Sequence, residues 1–239
     1  MRVVVVLAVC LFGGYHANHE EKRILLNDPQ MMETQINDLQ RQVQILKDEL
    51  TQVRMQKSQY GTTFVIWGKK SCPQLNDTKT LYSGVVGGSF YTETGNGANT
   101  LCLPHDPDSI DDHFPIHPDG GSAHLYGGEY QFSLKNVGYQ DDVPCAVCRV
   151  TGATSALMIP GKLVCPVGFV KQYQGFLTSN SYSEQKSEYL CLDDNPDFVE
   201  RSRENQNGKL FYPVVTVCGT LPCPPYKNGS YVTCSLCTA

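Results

Sequence analysis

The chain has 239 residues, of which 41% are hydrophobic and 18% charged, enough for one or two globular domains with a real core. Its formal net charge is −5 and no cluster of Lys and Arg stands out, which argues against nucleic acid as a partner. The first element is MRVVVVLAVCLFGG: a basic residue, an apolar run, then small residues. It reads as a secretory signal over residues 1–17, with cleavage near Ala17, although Tyr15 is large for the −3 position. The run is too short to cross a bilayer and no later run is long enough, so no membrane span is expected. Removing it takes away Arg2 and Cys10, so the net charge falls from −5 to −6 and the cysteines from 11 to ten. An even number of cysteines in an oxidising compartment points to disulfides.

A polar lead-in covers residues 18–28. Asp28-Pro29 then reads as a helix start, with Asp as cap and Pro at the first helical position. Apolar residues follow at Met32, Ile36, Leu39, Val43, Leu46, Leu50 and Val53, in alternating steps of four and three. That is a heptad seam, and residues 29–58 are read as a coiled-coil helix. The rod is roughly 40 Å long at 1.5 Å per residue. A helix of this polarity is marginal alone and needs a partner along the seam. Ile and Val at a with Leu at d favour two strands, while Leu50 at a with Val53 at d favours more, so the seam leaves dimer and trimer both open.

After Tyr60-Gly61 the helical period stops. Short β-type runs begin at TTFVIWG, LYSGVV, GSFYT, YGGEYQFSL, FVKQYQGFL and KLFYPVVTV, punctuated by Gly, Pro, Asn and Asp. Three blocks in this region occur twice. WGKKSCP (Trp67 to Pro73), CLPHDPD (Cys102 to Asp108) and CAVCRV (Cys145 to Val150) return as PGKLVCP, CLDDNPD and CSLCTA, displaced by 93, 89 and 89 residues. The same order at nearly the same offset reads as an internal duplication. The fold class is therefore mainly β: a tandem-duplicated, disulfide-rich β head behind an N-terminal α-helical coiled coil. The repeats cover residues 61–150 and 151–239, and whether they fold separately or interleave stays open.

Cys72, Cys102, Cys145 and Cys148 of the first copy correspond to Cys165, Cys191, Cys234 and Cys237 of the second. Cys218 and Cys223 are extra, and most simply bond to each other. The other four of each half are expected to pair the same way twice. Two further readings of the C-x-x-C pairs weigh less. A zinc site of Cys145, Cys148, Cys234 and Cys237 would need a spacing far longer than compact zinc modules use. A redox motif normally opens a helix, whereas VPCAVCRV and VTCSLCTA read as strands.

GTTFVIWGKKSCP, YSGVVGGSFYTETGNGANTLCLP, VPCAVCRV, LMIPGKLVCPVGFVKQYQGFL and CGTLPCPPY…VTCSLCTA resemble the C-terminal domain of invertebrate short-chain (spongin-type) collagens. The likeness covers roughly residues 61–239. IPGKLVCPVGFVKQYQGFL is more distantly similar to the collagen IV non-collagenous domain, a mainly β tandem duplication that drives trimer assembly. The resemblance implies nested pairing: Cys72–Cys148 and Cys102–Cys145, then Cys165–Cys237, Cys191–Cys234 and Cys218–Cys223. It also implies a homotrimer. No Gly-X-Y tract occurs, so the chain departs from a collagen there, and the heptad helix stands in the collagen strand's place.

His105 to His124 holds four of the six histidines and five aspartates, but no ligand spacing singles out a metal shell, and a polar loop is the expectation. Asp193-Asp194 is weaker still. Asn76-Asp77-Thr78 and Asn228-Gly229-Ser230 are glycosylation acceptors by pattern. Trp67, the one tryptophan, is expected in the core. No GxSxG, HExxH or GxxxxGK[ST] occurs, so neither catalytic residues nor a cofactor are expected. The expected function is a secreted, non-catalytic structural protein of the extracellular matrix, partnered by itself and by matrix proteins or glycans. The alternative is a secreted multivalent recognition protein, lectin-like or immune, binding glycans or surfaces through its head.

Overall fold

The computed structural model describes residues 29–109 and 121–239. The signal reading, the lead-in and most of the His/Asp-rich loop lie outside the described residues. Two compact units divide the chain, Met1–Thr51 and Gln52–Ala239.

Among the described residues one α-helix, α1, runs over Pro29–Gln59, with Lys57 in its last turn, where a cation suits the dipole. Its polar face is tied along the helix: Asp38 accepts from Arg41 at 2.9 Å and from Gln42 at 2.8 Å. Gln44 donates to Asp48 at 2.9 Å. These pairs add a few tenths of a kcal/mol each.

Ten strands follow among the described residues of the second unit. They are β1 (Gly61–Trp67), β2 (Thr78–Gly88), β3 (Leu101–Pro104), β4 (Tyr126–Tyr130) and β5 (Pro144–Thr151). Then come β6 (Ala156–Pro160), β7 (Val170–Ser179), β8 (Leu190–Asp193), β9 (Lys209–Pro213) and β10 (Thr233–Thr238). Of the β-type runs, GSFYT forms no strand. There β2 stops at Gly88, and the backbone turns, with Glu93 N donating to Phe90 O at 3.2 Å. The rings of Phe90 and Tyr126 meet at 5.0 Å, so the aromatic side chains pack a turn rather than a ladder.

The two halves pair their strands by one scheme. In the first, β5 lies between β1 and β2, and β2 also holds β3 and β4, all antiparallel. In the second, β10 lies between β6 and β7, and β7 also holds β8 and β9, all antiparallel. Two parallel contacts join the halves: β1 to β8 at Trp67 and Leu192, and β4 to β9 from Gly128 and Lys209 onward. Both cores draw on both halves. One contains Phe64, Ile66 and Ala146 with Tyr173, Leu177 and Leu236. The other contains Trp67, Val86 and Tyr130 with Leu190, Leu192 and Phe211. The repeats are therefore not two domains; neither half closes its own core.

Small details recur as well. The Tyr82 hydroxyl donates to Cys102 O at 3.1 Å, and that of Tyr173 lies 2.9 Å from Cys191 O. A Cβ added at Gly84 would stand 1.8 Å from Leu103 O, and one at Gly175 1.6 Å from Leu192 O. Both glycines let the neighbouring backbone close in, which no other residue permits.

Gly84→Ala and Gly175→Ala are each expected to cost about 2–4 kcal/mol, because backbone rather than a movable side chain is struck. Gly127→Ala, which meets nothing within 4 Å, should be far milder in the same thermal unfolding series. The disulfides give a second expectation. Cys102–Cys145 closes a span of 43 residues and Cys218–Cys223 one of 5. Replacing each pair by alanine should cost about 4 and about 2 kcal/mol respectively if chain entropy governs, as measured by denaturant midpoints.

Candidate assembly surfaces

The helix seam is the most exposed apolar feature of the first unit and continues to Val53. Met32, Ile36, Leu39, Val43, Leu46, Leu50 and Val53 are all between 46% and 63% exposed. The a/d spacing puts them on one stripe of the helix.

All ten described cysteines are bonded: Cys72–Cys148, Cys102–Cys145, Cys165–Cys237, Cys191–Cys234 and Cys218–Cys223. These are the pairs the resemblance implies. Cys145 and Cys148 sit three apart on β5, so they face opposite ways, and each joins a different core. Bonded sulfurs on opposite faces provide no thiolate pair for zinc.

Where the halves meet, Lys69 Nζ lies 2.9 Å from Asp197 Oδ1 and donates to Asn195 O at 3.0 Å. Lys70 N donates to Asp197 Oδ2 at 3.1 Å, and Asp197 N donates to Gly68 O at 2.7 Å. Gly68 has φ +81°, which L side chains rarely adopt. The pairing escapes a residue-by-residue reading, yet Lys69 and Asp197 both belong to the repeated blocks, and that recurrence was the available signal.

Further charges lie near β4 and β9, with Asp141, Glu129 and Lys209 buried. Arg203 grips Asp141 with Nε at 2.8 Å and Nη2 at 2.9 Å. Burial pushes the Asp141 carboxyl up, but Arg203 and the Gly138 N–H outweigh it and hold it below the usual range. Glu129, only 3% exposed, accepts from the N–H groups of Gln206 and Asn207 at 3.0 and 2.8 Å. Burial, then the charges of Glu129 and Asp141, push the Asp142 carboxyl up to about 6. Lys209 is 2% exposed; burial lowers its ammonium to about 8 against the opposing pull of Glu188 and Glu184. Its Nζ donates to Ser187 Oγ and lies 5.1 Å over the Phe211 ring.

Asn76 and Asn228 are exposed, as a glycan requires. Asn228 also accepts from Cys218 N at 3.0 Å. Trp67 is in the core. Of the histidines in the 105–124 stretch, His105 is exposed and His124 Nδ1 lies 3.0 Å from Glu93 Oε1, which also accepts from Tyr126 at 2.8 Å. Among the described residues no group of three metal-ligating side chains converges. Asp193 and Asp194 are tied into their turn, accepting from Asn195 N at 2.8 Å and from Gln174 at 3.0 Å. A cavity of about 470 Å³ lies between Phe132, Phe176, Pro213 and Tyr231, with Lys135 and Asp194 beside it. Among the described residues, no helix is long and apolar enough to cross a membrane.

The raised Asp142 carboxyl favours the protonated form in the folded state. Its contribution is complete below the ordinary value near 3.8 and is lost as pH rises through about 6. Asp142→Asn should therefore raise stability at about pH 7.5 by about 1–2 kcal/mol, after solvent screening, with little gain near pH 4. Thermal midpoints at the two pH values check this.

No protein-family model matches the chain, and no solved structure matches it significantly.

Proposed function

We propose that this chain is a secreted, non-catalytic structural protein of the extracellular matrix that assembles with copies of itself. The observation that carries the reading is the helix seam: seven apolar side chains in heptad register, each about half exposed in the single chain. Covering them in a parallel coiled coil removes that surface from water at about 25 cal/mol per Å². Five disulfides support export to an oxidising compartment. The common strand scheme, the paired tyrosines and the paired glycines support descent of the head from a duplicated unit. The resemblance to short-chain collagen C-terminal domains favours three chains.

Leu39→Lys with Leu46→Lys places two charges at d positions of the seam. The reading expects light scattering of the mature protein to fall from a homo-oligomer, a trimer by preference, toward the monomer. Association should weaken by roughly 100-fold or more, with the disulfide-bonded head still folded by circular dichroism. An unaltered mass, or a parent protein already monomeric, overturns the reading.

A further inference from the structure

The repeated blocks have a task inside the chain, and the task is only half used. At the contact between halves, the first contributes Trp67-Gly68-Lys69 and the second contributes Leu192 and the Pro196-Asp197 turn. Lys69 pairs with Asp197 at 2.9 Å, Pro196 is fully buried, and Trp67 sits beside Leu192. Each half, however, carries both sets. Pro160-Gly161-Lys162 repeats Trp67-Gly68-Lys69, and Gly161 has the same left-handed backbone, φ +74°. Leu103 and Pro107-Asp108 repeat Leu192 and Pro196-Asp197.

The second sets do not meet. Among the described residues β6 pairs as a strand with β10 alone and β3 with β2 alone. Gly161, Lys162, Pro107 and Asp108 are exposed, and neither Lys162 nor Asp108 has a partner among the described residues. A neighbouring contact shows the same contrast. Tyr130 N donates to Asp141 O at 3.0 Å and Thr216 N to Ser230 O at 2.9 Å, so Val217 stands where Gln131 stands. Gln131 N donates across the halves to Phe211 O at 3.0 Å. Val217 is 71% exposed, and Leu125, which stands where Phe211 stands, is 52% exposed against 1%.

One set exposes a lysine and the other an aspartate. They fit each other, and neither fits itself. Such surfaces join copies head to tail, and a head-to-tail contact closes into a ring when its rotation allows. We propose that the Gly161-Lys162 face of one head docks on the Pro107-Asp108 face of a second copy, Lys162 pairing with Asp108 as Lys69 pairs with Asp197 within the chain. Val217 meets Leu125 at the same contact. Pro160 has no N–H to offer, so the ion pair and the apolar contact carry the interface rather than a strand ladder. The inference rests on the self-assembly reading and locates a second interface for it.

The test uses the full mature chain as an equal mixture of unlabelled and ¹⁵N-labelled protein, coupled with a carbodiimide that joins lysine to touching carboxylates. The Lys69–Asp197 product forms within one chain and carries a single label state, which serves as the internal standard. The expected result is a Lys162–Asp108 product of mixed label. Lys162→Glu should reduce it to background, and Lys162→Glu with Asp108→Lys should restore coupling between the exchanged residues. An oligomer that yields only the Lys69–Asp197 product overturns the interface and leaves the helix-driven assembly standing. A Lys162–Asp108 product of single label also overturns it. A monomeric parent chain overturns both.

Discussion

The head depends on how β5 and β10 are held. Each is the middle strand of its half's three-strand core, and each carries two cystine sulfurs that are fully buried. On β5 the two bonds leave by opposite faces, because residues three apart on a strand point oppositely. Cys148 reaches Cys72 through one core and Cys145 reaches Cys102 through the other. A strand fixed on both faces cannot slip by one residue without breaking a covalent bond, so register is set covalently as well as by apolar pattern. The other strands then assemble on a fixed template.

Sharing follows from size. A unit of about 90 residues buries a modest fraction of its surface, and here each half completes the other's core. The halves are joined by the β1–β8 and β4–β9 contacts, by the Lys69–Asp197 and Arg203–Asp141 pairs, and by hydrogen bonds such as the Tyr130 hydroxyl donating to Asp197 O at 2.9 Å and Gln131 N donating to Phe211 O at 3.0 Å. The Lys69–Asp197 pair is only partly buried, with side-chain exposures of 22% and 34%, so it orients the halves more than it stabilises them. Apolar burial of Trp67, Leu192 and Phe211 supplies the larger share. Burial works the other way at Asp142 and, separately, at Lys209, which it leaves poorly placed for charge.

Legibility differs by element for physical reasons. The helix was readable because its information is periodic and unbroken by Gly or Pro between residues 30 and 60. β1, β2, β4, β7 and β9 lie in runs of β-branched and aromatic residues. β3, β6 and β8 are four or five residues long and fall outside the β-type runs. They exist because a longer neighbour offers its edge, which local sequence does not reveal. GSFYT misled in the opposite sense: strong β formers serve a turn because Phe90 has Tyr126 to pack on. Asp141 and Arg203 carry no motif, and only their 2.8 Å approach marks them.

By itself the sequence determined the helical seam, the grouping of the cysteines and the recurrence of the Gly-Lys and Pro-Asp blocks, because these depend on spacing along one chain. Only the tertiary structure decided that the halves share their cores, and that Lys69 finds Asp197 while Lys162 and Asp108 stay exposed. Those outcomes depend on contacts between residues 126 to 128 positions apart. Two similar motifs in one chain become unequal when folding covers one and leaves the other facing water.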